Sequence, residues 1–199
     1  GPGVNYESLP FDEMPQTVNP AQGFLVNANN DPIGISLDND LLNQTRSRGI
    51  YYFSSGFSPG LRAAKITDLI EQELQKNGGY GKVSFQDMRL IQSNVQLFDA
   101  EVLTPYIISA FNRARRSGAP AQLAAYGQDP AVREAAGRLS RWDFSTPTGV
   151  YQGYDASDLN GIRRWPSDNE VANSVAATIY NVWRSRMLSE TIIATLQRA

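Results

Sequence analysis

Apolar residues recur along this chain in two regimes, and the change falls near residue 58. Before it there is little periodicity. Residues 1–23 hold four of the eleven prolines and read as an extended arm. Phe24–Ala28 is a short apolar run closed by Asn29-Asn30-Asp31-Pro32, a turn signal, and it predicts a short strand. Ile33–Leu37 predicts a second extended piece, Asp38–Gly49 a polar loop, and Ile50-Tyr51-Tyr52-Phe53 either a strand or a buried loop.

After residue 58 the spacing becomes helical. Ser58-Pro59 is a helix start, and Leu61, Ile66, Leu69, Ile70 and Leu74 form one stripe that Asn77-Gly78 ends. Ser84 with Asp87 three residues on predicts a capped helix, with Val83 and Met88 placed as a staple and Met88, Ile91 and Val95 on its face. Phe98–Arg116 continues the pattern, and Pro105 predicts a kink or a fresh start within it. Gly118-Ala119-Pro120 closes it. A turn of helix over Ala121–Tyr126 and a helix from Asp129-Pro130 to about Ser140 follow. Residues 143–168 read as a long loop, and Glu170–Arg198 as the longest helix. The expected organisation is an arm with sandwich strands over 1–57 and a helical subdomain over 58–199. The fold class is α+β, mainly helical.

Composition narrows the chemistry. Hydrophobic residues make up 41% of the chain, enough for a core. Net charge is −2 and no basic run exceeds two residues, which argues against a nucleic-acid or anionic-membrane partner. No apolar run approaches the length of a membrane span. His and Cys are absent. Ser-His-Asp and Cys-His catalysis and His- or Cys-based zinc sites are therefore impossible within these residues.

Several ordered motifs run through nearly the whole chain. Asn19-Pro20-Ala21-Gln22-Gly23-Phe24 leading to Asn29-Asn30 resembles a signature of the penicillin acylase (penicillin amidase) family of N-terminal nucleophile hydrolases. Leu9-Pro10-Phe11-Asp12-Glu13-Met14-Pro15 is similar to that family's lead-in. Gly60-Leu61-Arg62-Ala63-Ala64-Lys65-Ile66, Ser84 to Gln92, Leu139 to Asp143, and Tyr180 to Trp183 with Met187-Leu188 resemble its later elements.

The resemblance implies a partial αββα sandwich with a helical subdomain, lying inside the family's large β chain. It implies hydrolysis of an amide bearing a hydrophobic acyl group, with penicillins, cephalosporin side chains, acyl-homoserine lactones and lipopeptides as candidate substrates. Asn29 would supply an oxyanion-hole donor, and Arg62 would hold the site's hydrogen bonds. The family's nucleophile is the first residue of a processed chain, usually Ser. Residue 1 here is Gly, so the expectation is that the nucleophile lies on another segment of the same precursor, and that the chain is a fragment, a nicked piece or a truncated form. The resemblance also implies a periplasmic or secreted protein and no cofactor for the chemistry. A structural calcium ion would be held partly by Asp40, eleven residues after Asn29.

Each residue also has a plainer reading. Asn29-Asn30-Asp31-Pro32 makes a turn by itself, and a turn and a donor role are compatible. Arg62 could be an exposed charge in a first helical turn, where a cation is slightly unfavourable. Asp40 could cap a helix, and Asp38 adds little to a metal site that needs six to eight oxygens. Tyr51, Tyr52, Phe53 and Phe57 would pack a core or line an acyl pocket. Trp142, Asp143, Trp165 and Trp183 read as packing and loop-tethering residues, and Glu71 and Glu73 as a solvated helix face. The alternative to an acylase segment is a non-catalytic helical binding or assembly module. A third reading is a calcium scaffold organised by Asp38 and Asp40.

Overall fold

The computed structural model describes residues 8–34, 40, 42–46, 48–54, 56–79, 81–151 and 162–196. The chain is mainly helical with one small two-stranded sheet. It divides into two compact units, residues 1–72 and 73–199.

In the first unit, a 3-10 turn over Phe11–Glu13 leads into irregular chain. Pro20 and Gly23 close a turn through a 2.8 Å backbone bond. The expected strand at 24–28 is absent: this segment has no β-pairing. A strand exists only where a second strand accepts its backbone groups, and the described part of this unit offers none there. Strands appear instead in the expected polar loop. β1 (Thr45–Arg46) pairs antiparallel with β2 (Gly49–Ile50). Tyr51 extends the hairpin with a 2.7 Å bond to Gln44, and its hydroxyl donates to the Glu13 carbonyl at 2.8 Å. Arg46 pairs with the Glu13 carboxylate at 2.8 Å, so the hairpin and the 3-10 turn are tied together. Residues 35–37 of the second expected extended piece, and Asp38, lie outside the described residues.

Helix α1 spans Leu61–Gly79 and carries the boundary between the units. Its first turn closes on the Gly60 carbonyl, so it starts slightly later than Ser58-Pro59 suggests. Beyond it, α2 (Phe85–Gln92) opens with the expected capping box of Ser84 and Asp87. The Ser84 bonds hold the Asp87 carboxyl below its ordinary range. Helix α3 (Phe98–Ala114) runs through Pro105 without a break. Short helices α4 (Ala121–Gln128) and α5 (Pro130–Leu139) follow, the latter capped by the Asp129 carboxylate.

Helix α6 (Asp168–Met187) begins two residues before the expected start, on a Ser167–Glu170 capping box. It gives way to a π-helical turn over Leu188–Ile193 and a last short α7 (Ala194–Leu196). The long loop before α6 is partly described, at 143–151 and 162–167.

The core of the second unit gathers α3, the end of α5 and α6. Ala100, Leu139, Trp142, Ala176, Ala177 and Tyr180 are buried together. Small residues at 100, 176 and 177 let the helices approach, and the aromatic rings fill the remaining space. Trp142 meets Phe144 edge-on at 5.5 Å and Tyr180 at 5.6 Å. The Trp142 indole N–H donates to the Ser145 carbonyl at 2.7 Å, which satisfies its one buried donor.

The segment after Trp142 is held from several sides. Phe144 has φ 66°, a left-handed backbone that a bulky residue adopts at a cost of about 1–3 kcal/mol. The Leu97 N–H donates to the Phe144 carbonyl at 2.9 Å, and the Thr146 N–H to Val95 at 3.0 Å. The Asp143 carboxylate accepts from the Ser145 backbone and hydroxyl and from the Asn173 amide. Burial pushes the Asp143 carboxyl up, but these bonds outweigh it and hold it below the usual range.

Candidate functional site

Asn29 and Arg62 meet within the first unit. The chain before Asn29 is shaped by short-range side-chain bonds. The Asn29 N–H donates to Asn27 Oδ1 at 3.0 Å, and the Ala28 N–H to Asn30 Oδ1 at 3.1 Å. Asp31 Oδ1 accepts from the N–H groups of Ile33 and Gly34. Asn29 itself has φ 59°, a left-handed conformation that Asn tolerates better than most residues. The turn reading therefore holds at this segment.

Arg62 sits in the first turn of α1. Its Nη2 donates to the Ala28 carbonyl at 2.6 Å and to Asn29 Oδ1 at 2.9 Å, with Ser58 Oγ at 3.5 Å. The Ser58 N–H in turn donates to the Asn29 carbonyl at 2.7 Å. One guanidinium nitrogen, with two N–H groups held in the plane of the guanidinium, thus bridges a backbone carbonyl and a side-chain amide oxygen.

This arrangement fixes the amide. A guanidinium has only donors, so the Asn29 atom facing Arg62 must be the oxygen. The Asn29 NH₂ group then points away from Arg62 and makes no hydrogen bond among the described residues. Asn29 is exposed while Ala28 beside it is buried. The result is a neutral donor held from behind by a cation.

Asn29 also lines a broad open pocket of 980 Å³ in the same unit. Leu25, Phe53, Phe57, Ala63 and Thr67 are among its other walls. Phe53 and Phe57 stack at 6.1 Å. Of the four aromatic residues considered for an acyl pocket, these two line the cavity. Tyr51 instead anchors the hairpin through its hydroxyl.

Asp40 is placed differently. Its carboxylate accepts from the Leu42 N–H at 2.9 Å. No group of three or more carboxylates forms a metal cluster among the described residues. These residues do not by themselves fit a calcium ion, which needs six to eight oxygens. Among the described residues, no helix is long and apolar enough to cross a membrane.

Ser58 is the site residue that sequence reasoning assigned only to a helix start. Its spacing of four from Arg62 is the signal that could have placed it here. The Ala28 carbonyl carries no sequence signal at all.

The penicillin amidase family model matches residues 4–198 of the chain. Neither curated proteins nor solved structures gave a match.

Proposed function

The chain belongs to the penicillin amidase family, and from that premise we propose that it is the part of an acylase that supplies an oxyanion donor through Asn29. An amidohydrolase-type segment is the coarse reading that membership carries. The finer reading rests on one observation: Arg62 holds Asn29 Oδ1, leaving the Asn29 NH₂ group without a partner among the described residues, beside a pocket partly walled by Leu25, Phe53 and Phe57.

The reaction is hydrolysis of an amide with a hydrophobic acyl group. A hydroxyl on another segment of the same precursor attacks the amide carbon, and its proton passes to the α-amine of that nucleophile's own chain. The carbonyl oxygen becomes an anion in the tetrahedral intermediate. The Asn29 Nδ2–H hydrogen-bonds that anion, an interaction worth roughly 3–4 kcal/mol where the donor is preorganised. The C–N bond then breaks and the proton goes to the leaving amine. Water attacks the acyl-enzyme and releases the carboxylic acid.

Arg62 is a positioning residue here. It never touches substrate, and its charge polarises the Asn29 amide from the oxygen side. Phe53 and Phe57 receive the acyl group. Penicillins, acyl-homoserine lactones and lipopeptides remain candidate substrates of one chemical type. A periplasmic or secreted setting and a calcium ion involving Asp40, completed by ligands outside the described residues, belong to the same proposal.

Partner segments are supported by the surfaces the chain leaves open. The 24–27 segment is unpaired, and Leu25 is 62% exposed. On α6, Val171, Val175 and Val182 form an exposed stripe. A self-sufficient helical module would bury such residues, so these faces favour the acylase reading over the assembly-module alternative.

The test is to assemble the enzyme from its precursor with Asn29→Ala and measure turnover on a panel of acyl amides. A loss of about a hundredfold or more with normal folding is expected. Near-normal turnover overturns the assignment.

A further inference from the structure

The second unit holds a cavity that shares no lining residue with the Asn29 pocket. Its volume is 460 Å³. One wall is a single ridge of α3 and its continuation: Thr104, Ile108, Asn112 and Arg116, spaced four apart. Side chains at this spacing lie on one face of a helix. The ridge runs from buried Thr104, 4% exposed, to exposed Arg116 just past the helix end. At helical rise the span is about 18 Å, long enough to take an extended twelve-carbon chain.

The opposite wall is apolar and rigid. Leu139, Trp142 and Phe144 supply it. Leu139 and Trp142 belong to the buried core, and the Trp142 ring is fixed by its bond to Ser145. Phe144 is held by Leu97 in its left-handed backbone. The two ends differ in chemistry. The Thr104 hydroxyl is buried and has no hydrogen-bond partner among the described residues. Among the described residues Arg116 makes no ion pair. A cation without a counter-charge among the described residues, at the end of a trough with one apolar wall, matches a long anion with an oily tail. A peptide or nucleotide would need more polar partners along the trough than Ser109, Asn112 and Ser140 offer.

We propose that this cavity is an accessory binding site for a medium-chain aliphatic carboxylate, its tail against Leu139, Trp142 and Phe144 and its carboxylate on Arg116. The identification of that ligand with the acid released by amide hydrolysis rests on the acylase reading. The site itself does not.

Dodecanoate is the probe, titrated by calorimetry into the 199-residue chain at submillimolar concentration, so that no turnover is needed. Saturable one-to-one binding is expected. Arg116→Gln should raise Kd at least tenfold while leaving the melting temperature unchanged, because the side chain is exposed and unpaired. Phe57→Ala, in the other pocket, should leave Kd as it is. Absence of saturation overturns the proposal. So does a titration that Phe57→Ala abolishes and Arg116→Gln leaves intact. Either failure leaves the Asn29 assignment standing, since that is decided by turnover of the assembled enzyme.

Discussion

Arg62 Nη2 lies 2.9 Å from Asn29 Oδ1 and 2.6 Å from the carbonyl of the residue before it. Thirty-three positions separate the two side chains in sequence. The contact sets the orientation of a neutral amide by charge, and it leaves that amide's donor side unbonded. A donor that is already turned and held loses little entropy when a negative oxygen forms in front of it, which is what makes such a donor effective.

Asn29→Asp tests the donor by inverting it. The carboxylate keeps an oxygen for Arg62, so the local fold should survive. It has no N–H to offer, and its charge repels a developing oxyanion. In the assembled enzyme kcat should fall by at least as much as in Asn29→Ala, with the circular dichroism spectrum unchanged. Turnover close to the parent's in Asn29→Asp would remove the oxyanion role.

Arg62→Lys tests positioning. A lysine keeps the charge, but its shorter, freely rotating ammonium does not hold two N–H groups fixed where Arg62 Nη2 places them, toward the Ala28 carbonyl and the Asn29 amide. The amide is then free to turn. About a tenfold drop in kcat with little change in KM is expected, smaller than the Asn29→Ala loss, with roughly 1.4 kcal/mol per tenfold. Steady-state kinetics on both variants decides it. Equal losses for Arg62→Lys and Asn29→Ala would mean that Arg62 does more than orient its neighbour.

Local features of this fold were legible in the sequence wherever they are written locally. The Ser84–Asp87 capping box, the Asp129-Pro130 start and the helical stripes were readable because caps and periodicity act over a few residues. The Ser167–Glu170 box is equally local, but the Pro-, Ser- and Asp-rich stretch before it masks the helix start. Strand 24–28 failed for the opposite reason: apolar alternation says nothing about who pairs with it. The 45–50 hairpin is too polar to announce itself. Pro105 breaks no helix, since a missing N–H costs one bond and the packing of α3 offsets it. The Asn29–Arg62 contact has no local signal, and only the family resemblance brought the two residues together in advance.

Gly127 is where α4 meets the end of α3. A Cβ added there would lie 2.7 Å from the Ala114 carbonyl oxygen, and that atom is backbone, so it cannot swing aside. Gly127→Ala should therefore push the two helices apart and destabilise the chain by about 1–3 kcal/mol, despite alanine's better helix propensity. Chemical denaturation measures this directly. A neutral or stabilising result would show that the junction gives way easily.

Tyr180 yields a pH-dependent prediction. The residue is fully buried, and its hydroxyl makes no hydrogen bond of good geometry among the described residues, although the Asp99 carboxylate lies close enough to act on it. Burial pushes the phenol well above its ordinary value, and the nearby Asp99 carboxylate pushes it further, with Arg184 opposing. Arg184 pairs with the Asp99 carboxylate at 2.5 Å. The folded state thus holds the phenolic proton more tightly than the unfolded state does. Stability from this proton is fully present below the unfolded value, about 10, and is lost as the pH rises beyond it. Tyr180→Phe deletes the titrating group and a buried hydroxyl that makes no hydrogen bond of good geometry. At pH 7 the variant should match or slightly exceed the parent in stability, because no hydrogen bond is lost. Above pH 10 the gap should widen in the variant's favour. Parallel stability curves for the two proteins from pH 7 to 11 would mean that the hydroxyl reaches solvent and titrates normally.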